Sequence, residues 1–129
     1  MGMVSVEVAA LGSASCVAAA RARARGFLDG LVPATAPEAA DTVLLVVSEL
    51  VTNALRHGGG TFTLDLTAQA DGVEVAVHDR SSWLPRMRTP DLDGGAGGFG
   101  WPMVNRLARA TAVVRREGGG KTVSALLAR

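Results

Sequence analysis

Three polar residues recur one helical turn apart within residues 48–57: Glu49, Asn53 and His57. Read as an α-helix, the segment places their side chains within an arc of about 80° on one side. A carboxylate there can accept a proton through water, and an amide oxygen one turn later can bind a hard cation such as Mg²⁺. A bare Glu-x-x-x-Asn spacing is more often a solvated helix face, so the functional hypothesis needs matching chemistry from other elements.

The same segment carries an apolar stripe that orients this polar side. The stripe consists of Leu44, Val47, Leu50, Val51, Ala54 and Leu55. These residues share one helix face, which predicts that the helix packs on a core. Thr35 and Glu38 form a capping-box pattern, and Pro37 suits the first helical turn because it lacks an N–H. We therefore predict a central helix from about Ala36 to His57, ended by the glycines at 58–60.

The residues before the central helix predict a strand and a helix. Residues 3–10 alternate valines with polar side chains, which is the period of a half-buried strand. Ser13 can cap a helix over residues 14–28. Its apolar face consists of Val17, Ala20, Ala24, Phe27 and Leu28. Cys16 lies in this helix and is the single cysteine of the chain, so no internal disulfide can form and a reducing compartment is expected.

Two strands and a long loop are predicted after the central helix. Residues 61–68 and 73–77 alternate apolar with other side chains, and Asp71-Gly72 between them predicts a hairpin. The second strand carries Asp79 at its end. Residues 80–98 have no periodicity and are rich in proline, aspartate and glycine, and a loop of this length usually forms a functional lid or is disordered.

The last part of the chain predicts a helix over residues 99–108 and strands over 112–116 and 122–128. The order β-α-α-β-β-loop-α-β-β predicts an α+β fold, a two-layer sandwich in which helices cover one face of a mixed, mostly antiparallel sheet. With 129 residues and 48% hydrophobic content, we expect a single domain over residues 1–129 with one core.

Charge and hydropathy argue against several classes of protein. The 13 Lys+Arg residues and 12 Asp+Glu residues nearly balance, which leaves no strong field to attract nucleic acid or an anionic membrane. The sequence has neither a run of 18 apolar residues nor a basic and hydrophobic leader. We therefore expect a cytoplasmic protein that binds neither nucleic acid directly nor a membrane.

Two glycine-rich segments imitate nucleotide-binding motifs without their structural context. Residues 95–100 satisfy G-x-G-x-x-G, but the preceding residues are not a predicted strand, as the dinucleotide fingerprint requires. Residues 120–122, Gly-Lys-Thr, resemble the end of a P-loop, but the first glycine of that motif would fall on Arg115. Neither motif is accepted.

The glycines around Phe99 have a more physical interpretation. Gly98 and Gly100 lie where the last predicted helix begins, and the unpaired N–H groups at a helix N-terminus suit phosphate. A flexible helix end is the simpler alternative.

Taken in chain order, these features resemble the GHKL family of ATP-binding domains from end to end. The resemblance implies that Asn53 binds Mg²⁺, that Glu49 is the catalytic base and that Asp79 accepts a hydrogen bond from the adenine amino group. It further implies a set of residues that line the bound ATP: Gly98, Phe99, Gly100, Trp101 and Thr122.

The motif that begins at Asp79 departs from the family pattern. In the family this strand end usually carries Asp-x-Gly-x-Gly. Asp79 is followed by Arg-Ser-Ser-Trp at residues 80–83, without a glycine. Ser81 can stand in for the first glycine, while Trp83 can stack on the base or fill the core, the more frequent fate of a lone tryptophan. His57 can donate to a phosphate or to a partner, although a histidine at a helix end is more often solvated.

Within the family, the chain is most similar to the small single-domain anti-sigma factor serine kinases of the actinobacterial type. The resemblance implies an ATP- and Mg²⁺-dependent serine/threonine protein kinase that acts in transcription regulation on an anti-anti-sigma-like partner and holds a sigma factor. The missing glycines leave open a non-catalytic ATP-sensing interaction module, and an α/β binding domain without nucleotide is a more remote alternative. The sequence leaves the oligomeric state open, with a homodimer among the alternatives.

Overall fold

The computed structural model describes residues 3–9, 13–57, 61–80 and 100–129. Strands and helices follow the predicted order, and their ends differ from the predicted ones by no more than a few residues. The elements are β1 (Met3–Ala9), α1 (Ser13–Asp29), α2 (Pro37–His57), β2 (Thr61–Ala68), β3 (Gly72–Asp79), α3 (Gly100–Leu107), β4 (Ala110–Arg115) and β5 (Lys121–Ala128).

The five strands form one sheet in the order β1-β2-β3-β5-β4. Every neighbouring pair is antiparallel, so the sheet in the described part of the chain is wholly antiparallel rather than mixed. The predicted hairpin joins β2 to β3, and the Gln69 N–H donates to the carbonyl of Gly72 at 2.8 Å. The predicted α+β two-layer fold, with helices against an antiparallel sheet, is confirmed.

The core lies between α2 and one face of the sheet because both carry apolar residues at the matching period. Val43, Val47, Leu50 and Val51 of α2 are all buried. Along β2 and β3, every second residue points to the same side, and the buried apolar residues on the helix-covered side are Phe62, Leu64, Leu66, Ala68, Val73, Val75 and Val77. The alternation that predicts the strands therefore also determines which sheet face the helices cover.

The predicted capping box at the start of α2 is not formed. The Ala40 N–H donates to the carbonyl of Ala36 at 2.9 Å, which makes Ala36 the cap residue and Pro37 the first residue of the helix. Thr35 therefore lies one position too early to cap, and its hydroxyl is buried without a hydrogen-bond partner in the described part of the chain. Proline's fixed backbone angle starts the helix here in place of a side-chain cap.

The short connection after α2 brings the polar end of that helix to one end of the sheet. Only residues 58–60 separate His57 from the first residue of β2. Phe62, near the start of β2, pairs with Asp79 at the end of β3, which in turn pairs with Lys121 at the start of β5. The C-terminal half of α2 and these strand ends therefore share one end of the molecule. Within the described residues, no helix has the length and apolar character needed to cross a membrane.

Candidate active site

The carboxylate of Glu49 lies against the first residue of α3. A Cβ atom placed on Gly100 would come within 2.7 Å of the Glu49 Oε2 atom, closer than real Cβ atoms approach other heavy atoms. Glycine at this position therefore lets the helix start next to the carboxylate. The Glu49 carboxylate therefore lies beside the N-terminal end of α3.

The environment of Glu49 makes its carboxylate a stronger base than usual. Burial between α2 and its neighbours raises the pKa of Glu49, and the nearby positive charge of Arg56 partly opposes this shift. The raised pKa of Glu49 lies closer to neutral pH than the pKa of an ordinary carboxyl, and this favours proton transfer to Glu49 in general base catalysis. Arg56, by contrast, is exposed to solvent.

Asn53 follows Glu49 by one helical turn and is partly exposed on α2. Within the described residues, no group of three or more His, Cys, Asp or Glu side chains could hold a metal ion alone. The oxygens of Asn53 and Glu49 fit a Mg²⁺ ion that binds together with a nucleotide. Such an ion usually takes one or two protein oxygens and completes its coordination shell with phosphates and water. The Asn53 amide oxygen and the neighbouring Glu49 carboxylate are hard donors of that kind.

Asp79 forms a buried ion pair with Lys121, a residue of the Gly-Lys-Thr segment that resembles the end of a P-loop. The Lys121 Nζ atom lies 3.0 Å from Oδ1 and 2.9 Å from Oδ2 of Asp79. The two side chains are 0% and 1% exposed. The pair lies on the sheet face that α2 covers, at the end of the sheet where α2 terminates.

The alternation of apolar residues in β5 predicts that the Lys121 side chain is buried. Lys121 is in phase with Val123, Ala125 and Leu127, all of which are buried. A strand that continues this phase must bury the lysine, and a buried lysine needs an anionic partner. Asp79 continues the buried phase of β3 in the same way and is its direct cross-strand neighbour.

Gly120 allows the two strand ends to approach closely. Its φ angle is +85°, and a Cβ atom there would collide with the backbone carbonyl oxygen of Asp79 and lie 3.1 Å from the Cα of Arg80. Only glycine satisfies both conditions without strain. The glycine before Lys121 therefore helps to set the position of Asp79.

Thr122 is separated from this group of residues. Neighbouring strand residues point to opposite faces, so Thr122 lies on the face away from the helices. Its hydroxyl is 2.6 Å from Nδ1 of His78, whose Nε2 is 2.6 Å from Oδ2 of Asp65. Thr122 was expected to line the nucleotide; the structure places it on the face away from the helices and Lys121 on the helix-covered face beside Asp79.

The structure describes only some of the other predicted site residues. Trp101 is partly buried and packs against the core, while its backbone carbonyl accepts a hydrogen bond from Asn105 at 2.9 Å. Ser81, Gly98 and Phe99 lie outside the described residues, as does the predicted loop beyond Arg80. His57 ends α2, but its side chain is outside the described part.

Comparisons with known proteins give a family match and a similar solved structure. A family model described as "Histidine kinase-like ATPase domain" matches residues 13–127. Among solved structures, the chain is similar to the histidine kinase domain of the blue-light activated histidine kinase from Erythrobacter litoralis EL346, with a TM-score of 0.52 and 22% sequence identity. The match covers 89% of this chain and 60% of that chain, and at this identity it supports the fold alone. A comparison with curated proteins found no significant match.

Proposed function

Because the chain belongs to the histidine kinase-like ATPase domain family, we propose that it binds ATP with Mg²⁺ and phosphorylates a serine or threonine of a regulatory partner protein. The observation that carries the proposal is the contact between the Glu49 carboxylate and Gly100, the first residue of α3. A base lies there beside backbone N–H groups that have no partner within their own helix. A phosphoryl group held by those N–H groups would lie close to the base.

The chemistry follows from these residues. Asn53 would hold Mg²⁺, and the bound metal would supply positive charge to neutralise the phosphate oxygens. The N–H groups at the start of α3 bind the same oxygens and orient the γ-phosphate. The partner's hydroxyl oxygen forms a bond to the γ-phosphorus, the bond to the β-γ bridging oxygen breaks, ADP leaves, and the hydroxyl proton passes to Glu49.

Asp79 supplies the base recognition in this proposal. A carboxylate accepts a hydrogen bond from the adenine amino group, whereas guanine would turn a carbonyl oxygen toward it. Two facing acceptors repel each other, so the site favours ATP over GTP. The buried position of Asp79 strengthens this preference because water does not screen the contact.

The regulatory role rests on the resemblance to small anti-sigma factor kinases. An anti-sigma factor that phosphorylates an anti-anti-sigma-like protein, and otherwise holds a sigma factor, acts by exchanging protein partners. We place this activity in the cytoplasm, where such partners and ATP are found. The nearly balanced charge of the chain favours protein partners over nucleic acid.

A second candidate is a non-catalytic ATP sensor that exposes a partner-binding surface when nucleotide binds. The observation in its favour is the sequence after Asp79, which lacks the usual glycines. Such a module would bind ATP without transferring phosphate. The half-buried base at Glu49, with its raised pKa, favours the kinase.

The test is to incubate the purified chain with γ-labelled ATP, Mg²⁺ and lysate from its own source. The proposal expects one labelled protein whose phosphate survives acid, as phosphoserine and phosphothreonine do and phosphohistidine does not. A Glu49→Gln chain is the matched control and should leave the lysate unlabelled. Acid-labile label would contradict serine/threonine specificity, and ATP binding without any label would favour the sensor.

A further inference from the structure

The ion pair between Lys121 and Asp79 places a hydrogen-bond donor and an acceptor side by side at the proposed base site. Both side chains come from the ends of neighbouring strands and point to the helix-covered face. The ammonium contacts both carboxylate oxygens, at 2.9 and 3.0 Å. The pair is therefore held in one orientation rather than sampling many.

This pair does more than packing requires. Replacing a buried ion pair by apolar residues is often neutral or stabilising, and the rest of this layer is apolar. An ammonium has three N–H donors, and the bonds recorded for Lys121 within the described residues are those to Asp79. One donor of a rigidly held, buried lysine is thus left for another group.

Resting on the proposed function, we propose that Lys121 is a specificity-determining residue that donates to ring nitrogen N1 of adenine while Asp79 accepts from the neighbouring amino group. Adenine presents a donor and an acceptor on adjacent atoms of this edge, in the order that Asp79 and Lys121 complement. A carboxylate can accept about four hydrogen bonds, so Asp79 can accept a bond from the base in addition to its existing interactions, those with Lys121 among them. Guanine presents the opposite order at the same two atoms.

The deciding experiment compares ATP with 1-deaza-ATP, in which a C–H group replaces N1, by calorimetry with Mg²⁺. The wild-type chain should bind ATP at least about tenfold more tightly, as expected for a lost hydrogen bond to a charged donor. Lys121→Met should bind the two nucleotides about equally, and Lys121→Gln, which keeps an N–H donor, should recover part of the preference. Ser124→Ala, on the opposite face of β5, is the matched control and should discriminate like the wild type.

A merely structural lysine would weaken both nucleotides together and leave their ratio unchanged. If Lys121→Met does not fold, the Asp79→Leu/Lys121→Met chain removes both charges without adding an N–H donor, and it should likewise bind ATP and 1-deaza-ATP equally. Equal binding of the two nucleotides by the wild type, or an unchanged preference in either variant, would overturn the inference. Failure of the wild type to bind ATP would instead overturn the proposed function, so the two failures are distinguishable.

Discussion

Replacing Lys121 by methionine should destabilise the fold far more than losing a surface charge would. The Lys121 and Asp79 side chains are 0% and 1% exposed, and methionine fills much of the lysine volume without a charge. The variant leaves a buried carboxylate without its counter-charge. Removing one partner of a buried pair typically costs about 3–5 kcal/mol, a large part of the roughly 5–15 kcal/mol that stabilises a domain.

Urea unfolding followed by circular dichroism measures this loss directly. Asp79→Asn should lose a comparable amount, because it leaves the ammonium unpaired in the same place. The double variant Asp79→Asn/Lys121→Met removes both charges and should recover most of the stability, so the double-mutant cycle gives a large coupling energy.

The chain contains a matched control in the Arg109–Asp71 pair. Its atoms are 3.4 Å apart and its side chains are 48% and 81% exposed, so Arg109→Met should cost less than about 1 kcal/mol. If Lys121→Met and Asp79→Asn cost no more than Arg109→Met, the pair is solvated in solution, and the reasoning from its burial fails.

Four further outcomes are expected. Gly100→Ala should slow phosphoryl transfer about tenfold or more with little change in melting temperature, because the new methyl group displaces only the flexible end of Glu49; an unchanged rate would remove this contact from the mechanism. Because the pKa of Glu49 is raised in the folded protein, ionisation of this carboxyl destabilises the fold as pH rises. Glu49→Gln should therefore resist urea better than the wild type at pH 7, and this gain should disappear below about pH 4.5. A gain that does not depend on pH would contradict the expected sign. Asp79→Ala should weaken ATP binding by about 1–3 kcal/mol in calorimetry, and equal wild-type affinity for GTP would count against its role. Thr122→Val should leave ATP affinity unchanged while losing about 1 kcal/mol of stability with its bond to His78; a large loss of ATP affinity would return Thr122 to the nucleotide site.

Local periodicity was sufficient to predict most of the fold. The apolar stripe of α2 and the alternation in β2 and β3 depend on neighbouring residues, and each is satisfied by one buried face. The same periodicity predicts that Glu49 and Asn53 share one side of α2, whereas the contact between Glu49 and the first residue of α3 was not predicted.

The features that the sequence did not predict depend on contacts that local patterns do not encode. The partners Asp79 and Lys121 are 42 residues apart in the chain, and only the antiparallel register of β3 and β5 makes them neighbours. The choice between Lys121 and Thr122 is a choice of strand face, and a shift of one residue reverses it. At Thr35 the capping pattern was present, but the helix starts one residue later, after Ala36.

The central claim is that Glu49 acts in the chemical step and not in holding ATP. The most direct measurement determines ATP affinity by calorimetry and phosphoryl transfer or hydrolysis in a single turnover, for the wild type and Glu49→Gln in the same buffer with Mg²⁺. The ATP affinity of Glu49→Gln should differ from that of the wild type by no more than a few-fold, while its rate of phosphoryl transfer or hydrolysis should be lower by about 10² or more. A Glu49→Gln chain that transfers phosphate as fast as the wild type would contradict it.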